Sequence, residues 1–139
     1  MRFSKRLGSV AAVVGLTVAG TVAATGSAAA ASYTGACGSG YGVIDSKYVG
    51  DGTAFLTYNS STGYNCVVTV SDTQGTPMIL DARLRLHRTD TVWKYNEYDR
   101  GTYSYYAGPV YLYAKGSCID WGGSAASNYT RIDYGVHCG

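Results

Sequence analysis

Residues 103–123, with the sequence YSYYAGPVYLYAKGSCIDWGG, decide how this chain folds. Aliphatic and aromatic residues alternate in the order Val110, Tyr111, Leu112, Tyr113 and Ala114. Because successive side chains of a β-strand point to opposite faces, this alternation predicts a half-buried strand with one aliphatic face and one tyrosine face. Gly108-Pro109 precedes this strand and is typical of a turn. We therefore interpret the stretch as strand, turn, strand.

Further strand patterns lie on both sides of this stretch. The longest alternation covers residues 78–87 and predicts a long central strand. Residues 53–59 and 65–71 predict an antiparallel hairpin, because two runs rich in β-branched residues flank a short loop. Weaker strands are predicted at residues 41–49, 91–98 and 130–138. The fold class is therefore all-β, a small antiparallel β-sandwich or barrel of about seven or eight strands.

Residues 1–31 have the pattern of a secretory signal peptide. Three basic residues precede an uncharged run from residue 7 to residue 22, and residues 27–31, SAAAA, form a small-x-small cleavage pattern. We expect cleavage near Ala30 or Ala31, which leaves residues 32–139 as a single secreted β-domain. No second apolar run is long enough to cross a bilayer, so the sequence predicts an extracellular protein without a transmembrane anchor.

The charge of the exported part does not favour nucleic acid as a partner. Three of the eleven basic residues belong to the signal peptide, which leaves eight against nine acidic residues and a net charge of −1. The one basic cluster, at Arg83, Arg85, His87 and Arg88, alternates with leucines over its first residues. We interpret it as an outward, solvated strand face that needs no ligand.

The four cysteines all lie in the exported part, at Cys37, Cys66, Cys118 and Cys138. An even number of cysteines in an exported chain predicts two disulfides. Three pairings are possible, and we favour Cys37 with Cys66 and Cys118 with Cys138, since each pair closes a local loop. Their spacing contains no C-x-x-C pair, so no zinc site is expected, and no motif for another metal or a cofactor is present.

No catalytic residues are predicted, so we do not expect an enzyme. His87 and His137 are the only histidines, and neither lies in a hydrolase motif, so both are interpreted as structural. Glu97 and Asp99 are the only acids close together on one strand parity, and we interpret them as surface charge. Glycosylation acceptor patterns begin at Asn59 and Asn128, but the pattern is common by chance.

Exposed aromatic residues are the positive functional signal. Tyr111 and Tyr113 share one predicted strand face, and Trp93 and Tyr95 share another. Aromatic rings on a rigid sheet stack on sugar rings or anchor a protein partner, so these residues are the candidate binding residues. Trp121 is interpreted instead as a core residue that packs near a disulfide.

Three segments resemble a known family. CGSGYGVID at residues 37–45, FLTYNSSTGYNCVVTV at 55–70 and YAGPVYLYAKGSCIDWGG at 106–123 are similar to the spore-associated protein A family of spore-forming filamentous actinobacteria. The resemblance implies a small exported protein found with spores or the aerial cell surface, and it supplies no enzymatic activity and no catalytic residues. It also implies that Cys37, Cys66 and Cys118 are structural.

The sequence thus predicts a non-enzymatic extracellular protein, associated with the spore or cell surface through tyrosine-rich contact faces. Its partner would be a spore or cell-wall component, either protein or glycan. The first alternative is a carbohydrate-binding module for cell-wall glycan, with the four candidate aromatic residues as platforms. A weaker alternative is a secreted hydrolase or protease inhibitor.

Overall fold

The computed structural model describes residues 30–126 and 129–139, which form eight β-strands and no helix. The strands are β1 (Gly42–Tyr48), β2 (Gly52–Asn59), β3 (Tyr64–Ser71), β4 (Met78–Leu86), β5 (Tyr98–Tyr103), β6 (Tyr106–Tyr113), β7 (Ile119–Ala125) and β8 (Arg131–Val136). The predicted signal peptide lies outside the described residues as far as residue 29, and so does the acceptor Asn128.

The strands form two antiparallel sheets that face each other. Sheet A has the order β1-β2-β3-β6, and sheet B has the order β5-β4-β7-β8. The all-β prediction is therefore confirmed, and the architecture is the sandwich, since the two sheets do not close into a barrel. Within the described ranges no helix is long and apolar enough to cross a membrane.

The main core lies between the sheets and consists of aliphatic side chains around one tryptophan. Leu56 and Val67 of sheet A pack with Leu80, Leu84 and Trp121 of sheet B, and each is at most 1% exposed. Burying one such side chain stabilises the folded state by about 1.5–3 kcal/mol. Trp121 is therefore a core residue, as the sequence indicates.

A second core lies on the outer face of sheet A. Phe55, Cys66, Val68 and Val70 point away from sheet B, and the N-terminal segment, residues 31–41, packs over them. A disulfide between Cys37 and Cys66 joins this segment to β3. As a result β3 is buried on both faces, which explains its run of β-branched residues.

The disulfides are the two local pairs that the sequence favours. Cys37 pairs with Cys66 across 29 residues, and Cys118 pairs with Cys138 across 20 residues. The second disulfide fixes the C-terminal residues to the start of β7. No free cysteine remains in the described part of the chain.

Gly108-Pro109 is not the predicted turn. The chain leaves β5 of sheet B at Ser104 and Tyr105 and continues into β6 of sheet A. Strand β6 runs through the proline. β6 is an edge strand, where a proline removes no ladder hydrogen bond that the sheet needs. The pairing with β3 shifts at this point, between Val67 and Thr69, so the glycine and proline form a bulge.

The predicted long strand β4 is confirmed as central, between β5 and β7. The predicted strand at residues 91–98 is wrong, because residues 87–97 form a loop and β5 begins only at Tyr98. The Arg85 side chain of β4 donates to the Val92 backbone carbonyl oxygen of this loop, and the Trp93 ring of the loop stacks on Arg85, so the loop crosses the sheet instead of extending it.

The open side of the sandwich is closed by charged side chains. Lys47 of β1 forms an ion pair with Asp133 of β8, and Oδ2 of Asp45 lies within hydrogen-bond distance, 2.8 Å, of Nε2 of His137. Both strands are sheet edges, and inward-facing charges at an edge discourage pairing with another chain. His137 is therefore part of this seam, in agreement with its structural interpretation.

Gly123 of β7 lies close to Asp81 of the same sheet and to Thr69 of sheet A, and it provides a test of this packing. A methyl group on Gly123 would lie 2.1 Å from the Asp81 carbonyl oxygen and 2.4 Å from Oγ1 of Thr69. We expect Gly123→Ala to lower the free energy of unfolding by about 1–3 kcal/mol, the usual cost of overpacking, as measured by urea denaturation. The control is Gly42→Ala, whose methyl group meets nothing within 4 Å. Equal stability of the two variants would contradict the packing described here.

Candidate functional site

The tyrosine face predicted for β6 exists and is wider than the sequence indicates. Tyr111 and Tyr113 point outward from sheet A, while Val110 and Ala114 point into the main core. Tyr113 lies opposite Tyr64 of β3, with ring centroids 5.6 Å apart.

Tyr41 of the N-terminal segment completes this surface. Its ring centroid lies 5.6 Å from that of Tyr111. We refer to Tyr41, Tyr64, Tyr111 and Tyr113 as the tyrosine strip. The part of it contributed by sheet A is well exposed, with fractions of 41%, 45% and 53% for Tyr64, Tyr111 and Tyr113.

The strip is held in place by covalent and hydrogen-bonded neighbours. The hydroxyl of Tyr111 donates to the carbonyl oxygen of Cys37 at 2.9 Å, so one ring is tied to the disulfide-linked segment. Partial burial raises the pKa of Tyr41, and the neighbouring phenol of Tyr111 raises it further. Tyr41 therefore stays neutral at physiological pH, as a surface for apolar contact and hydrogen bonding requires.

The rings of the strip are tilted against each other. Tyr41 and Tyr111 have an interplanar angle of 61°, and Tyr64 and Tyr113 have one of 67°. Edge-to-face pairs of this kind are favourable for tyrosine, and they give a ridged surface, not a flat one. Such a surface suits irregular side chains of a partner better than the flat face of an extended polysaccharide.

Trp93 and Tyr95 lie on the opposite side of the molecule, in the loop over sheet B. Trp93 is half-buried, because its ring stacks on the Arg85 guanidinium at 4.4 Å and lies 5.5 Å from that of Arg83. Tyr95 is 89% exposed at the loop surface. The four candidate aromatic residues thus do not form one platform, and the pairing of Trp93 with Tyr95 on one strand face is wrong.

The basic cluster of β4 is not a solvated face. Arg85 is fully buried, and its Nε donates to Oδ2 of Asp120 at 2.8 Å. Its remaining nitrogens donate to the carbonyl oxygens of Asp90 and Val92 at 2.7 Å. The predicted solvated face is wrong because β4 is a central strand whose outer face is covered by the 87–97 loop.

Asp120 is the centre of this buried network. Its Oδ1 lies 2.7 Å from Nδ1 of His87 and accepts a hydrogen bond from the Gly135 backbone nitrogen at 2.9 Å. Burial acts to raise the pKa of Asp120, but the hydrogen bonds from His87, Gly135 and Arg85 outweigh it and leave the pKa below its usual value. Asp120 is therefore ionised and fully paired.

A second buried carboxylate, Asp81, organises the neighbouring part of the same face. Arg83 donates to both of its oxygens, at 2.8 and 2.9 Å, and Arg100 donates to Oδ2 at 3.2 Å. The 87–97 loop is closed in turn by Arg88, which donates to both carboxylate oxygens of Glu97. Hydrogen bonding from Arg88 lowers the pKa of Glu97.

Glu97 and Asp99 are therefore not free surface charges, contrary to the sequence interpretation. Asp99 accepts hydrogen bonds from the Tyr103 hydroxyl at 2.5 Å and from the Gly108 backbone nitrogen at 2.7 Å. It thereby fixes the bulge of β6 to β5.

The glycosylation acceptor pattern at Asn59 forms a turn. Asn59 is buried, and its Oδ1 accepts a hydrogen bond from the Ser61 backbone nitrogen.

Asp120 is not among the functional residues that the sequence motifs predict. The available signal was its place between Ile119 and Trp121 in an alternating strand, which directs it to the outer face opposite Arg85. The resulting pair of His87 and Asp120 resembles the base of a hydrolase triad in geometry. Arg85 and Gly135 also bond Asp120, however, and this full set of partners favours the structural interpretation of His87.

One further cavity lies at the end of the sandwich where β1 begins and β2 and β6 end. It has a volume of about 610 Å³ and is lined by residues that include Ile44, Tyr58, Asn65, Lys115 and His137. It opens widely to solvent and contains only a few polar groups. Among the residues that the structure describes, no group of three or more histidines, cysteines or acids is placed to hold a metal ion.

Comparison with known proteins gives one informative relative. Spore-associated protein A of Streptomyces coelicolor is 44% identical to this chain over 134 residues, which covers 96% of this chain and 83% of that protein. No protein-family model matches the chain. No solved structure matches it either.

Removing the Asp120 carboxylate tests the buried network. We expect Asp120→Ala to lower the free energy of unfolding by about 3–5 kcal/mol, because it leaves Arg85 buried without its charged partner. The matched control is Asp133→Ala, which removes a carboxylate that is 48% exposed. Urea denaturation measures both, and a loss below 1 kcal/mol for Asp120→Ala would show that Arg85 is not held as described.

The same network predicts an acid sensitivity. A carboxyl group with a lowered pKa in the folded state stabilises the fold above its unfolded pKa and loses that contribution as the pH falls through the folded value. For Glu97 and Asp120 this places the loss of stability below about pH 4. We expect the melting temperature of Glu97→Gln to fall less steeply than that of the wild type between pH 5 and pH 2, as followed by circular dichroism. Parallel curves would contradict the role of Glu97.

Proposed function

Because the chain belongs to the spore-associated protein A family, with 44% identity to the Streptomyces coelicolor protein, we propose that it is a non-enzymatic extracellular protein of the spore or aerial cell surface. The tyrosine strip is its contact face. The partner is a component of that surface, and the chemistry of the strip favours a protein.

The single observation that supports this function is the strip itself. Tyr64, Tyr111 and Tyr113 stay exposed although the neighbouring apolar residues of sheet A are covered by the N-terminal segment. Tyrosine is enriched at protein interfaces, because it buries a large apolar area and keeps a hydrogen-bonding tip. A rigid backbone adds to this, since little entropy is lost when a pre-ordered ring is covered.

The position of the strip also fits an attachment surface. β6 is an edge strand of sheet A, so the exposed rings of Tyr111 and Tyr113 lie at a border of the sheet. The charged side chains on the outer side of sheet B form ion pairs with each other, namely Arg83 with Asp81, Arg85 with Asp120 and Arg88 with Glu97. Binding a ligand there would require breaking these pairs, so this face is a weaker candidate contact surface.

The carbohydrate-binding alternative is weaker. Trp93 and Tyr95 lie on the opposite face from Tyr111 and Tyr113, and Trp93 is occupied by stacking on Arg85. The strip alone has its rings tilted by 61° and 67° within each pair, so it lacks the flat platform that stacks on extended glycan chains. A hydrolase is weaker still, because the carboxylate of the His87–Asp120 pair is also bonded by Arg85 and Gly135, and a protease inhibitor has no specific observation in its favour.

The proposal is tested by co-sedimentation of the secreted protein with intact spores, isolated peptidoglycan and chitin. We expect binding to spores that soluble oligosaccharides do not displace. We expect Tyr111→Ala combined with Tyr113→Ala to weaken this binding at least tenfold, because central aromatic residues of an interface each contribute 1 kcal/mol or more.

The control for this experiment is Tyr95→Ala combined with Tyr105→Ala, which removes two exposed tyrosines outside the strip. Circular dichroism is used to check that both double variants remain folded. Unchanged spore binding by the folded strip variant would exclude the strip as the contact face. Binding to peptidoglycan or chitin that a soluble sugar abolishes would instead establish the carbohydrate-binding alternative.

A further inference from the structure

We propose that the mature protein begins at Ala31, and that its new terminal ammonium group forms an ion pair with the carboxylate of Asp72. The inference rests on the proposed export of the protein and specifies how the exported form is made and held. The cleavage is the work of a signal peptidase, and the ion pair fixes the end of the N-terminal segment to the loop after β3.

The first observation is a hydrogen bond at the start of the described chain. The backbone nitrogen of Ala31 donates to Oδ1 of Asp72 at 3.0 Å. Asp72 is itself fixed, because its own backbone nitrogen donates to the Asp51 carbonyl oxygen at 2.9 Å. After cleavage the same nitrogen would carry a positive charge, and a charge-assisted hydrogen bond is roughly twice as strong as a neutral one.

The second observation is a change of burial between two adjacent alanines. Ala30 is exposed, whereas Ala31 is half-buried and packs against the second core beside Val70. Of these two alanines, only Ala31 packs against the domain. Ala30 contributes no packing against that core.

The third observation is in the sequence of the cleavage region. Two of the cuts that the small-x-small pattern allows flank Ala31: Ala28-Ala29-Ala30 directs cleavage after Ala30, and Ala29-Ala30-Ala31 directs it after Ala31. The second cut would remove the methyl group that packs on the core. It would also place the new charge on Ser32, which is exposed. The first cut places the new charge on the nitrogen that already donates to Asp72.

The chemical step is the hydrolysis of one peptide bond. Water adds to the carbonyl carbon of Ala30, the bond to the Ala31 nitrogen breaks, and that nitrogen leaves as an amine that takes up a proton. The leader keeps a carboxylate at Ala30. The domain gains an ammonium group beside Asp72. Before cleavage, the amide nitrogen of Ala31 at this position already donates a hydrogen bond to the Asp72 carboxylate.

The direct test is the intact mass and N-terminal peptide of the protein secreted from its full-length precursor. We expect a chain that starts at Ala31. A chain that starts at Ser32, or at any other exported position, would overturn the inference and leave the proposed function untouched. A precursor that stays in the cells with its leader would overturn the export on which both depend.

Two leader variants separate the two possible cuts. Ala28→Leu places a large residue in the pattern that directs cleavage after Ala30, and we expect it to reduce secretion of the Ala31 form at least fivefold. Ala29→Leu disrupts only the pattern for cleavage after Ala31, so it serves as the matched control with unchanged processing. The opposite outcome would assign the cut to the other bond.

The ion pair is tested on the secreted domain with Asp72→Asn, which keeps an oxygen acceptor and removes the charge. We expect the melting temperature to fall by about 2–4 °C at low salt, and the difference to shrink in 1 M salt, where charges are screened. Asp51→Asn removes an exposed charge from the neighbouring loop and is expected to leave the melting temperature unchanged. Equal melting temperatures for Asp72→Asn and the wild type would overturn the ion pair.

Discussion

The disulfide between Cys37 and Cys66 is the constraint on which the outer face of sheet A depends. The N-terminal segment belongs to no sheet, so it lacks the ladder of hydrogen bonds that holds a strand in place. In the chain-entropy model, closing a loop of 29 residues stabilises the fold by about 3.5 kcal/mol. This lets a short segment cover Phe55, Val68 and Val70 and fixes Cys37 where its carbonyl oxygen accepts the Tyr111 hydroxyl.

The outer face of sheet B is covered by a different physical solution. Arg85 and Asp120 are buried as an ion pair, and the 87–97 loop supplies carbonyl oxygens and the Trp93 ring as further partners. Removing two charges from water is costly, so such a pair is retained only where its geometry satisfies nearly every donor. The network explains why a small domain with few apolar rings still has two covered sheet faces.

These two coverings leave the tyrosine strip as the distinctive exposed surface of sheet A. Its rings stand next to a disulfide and on a sheet, so their positions are set before any partner arrives. The similarity to spore-associated protein A of Streptomyces coelicolor supports the proposal that this surface contacts a spore component.

The sequence by itself determined the elements with a clear period. The alternation in β4 and β6 and the hairpin of β2 and β3 follow from side-chain direction and a short loop, which are local properties. Tyr111 and Tyr113 were found for the same reason. For the disulfides the sequence left three pairings open and favoured the two local ones that the structure shows.

Only the tertiary structure decided which outward faces are covered. Arg85 and Tyr111 both alternate outward from their strands, yet Arg85 is fully buried and Tyr111 is 45% exposed. The strand period fixes which side of a sheet a residue faces, but the cover on that side comes from segments distant in sequence. For Arg85 the decisive partner, Asp120, lies 35 residues away. Trp93 likewise lies far from the tyrosine strip, because its loop crosses the outer face of sheet B instead of forming a strand.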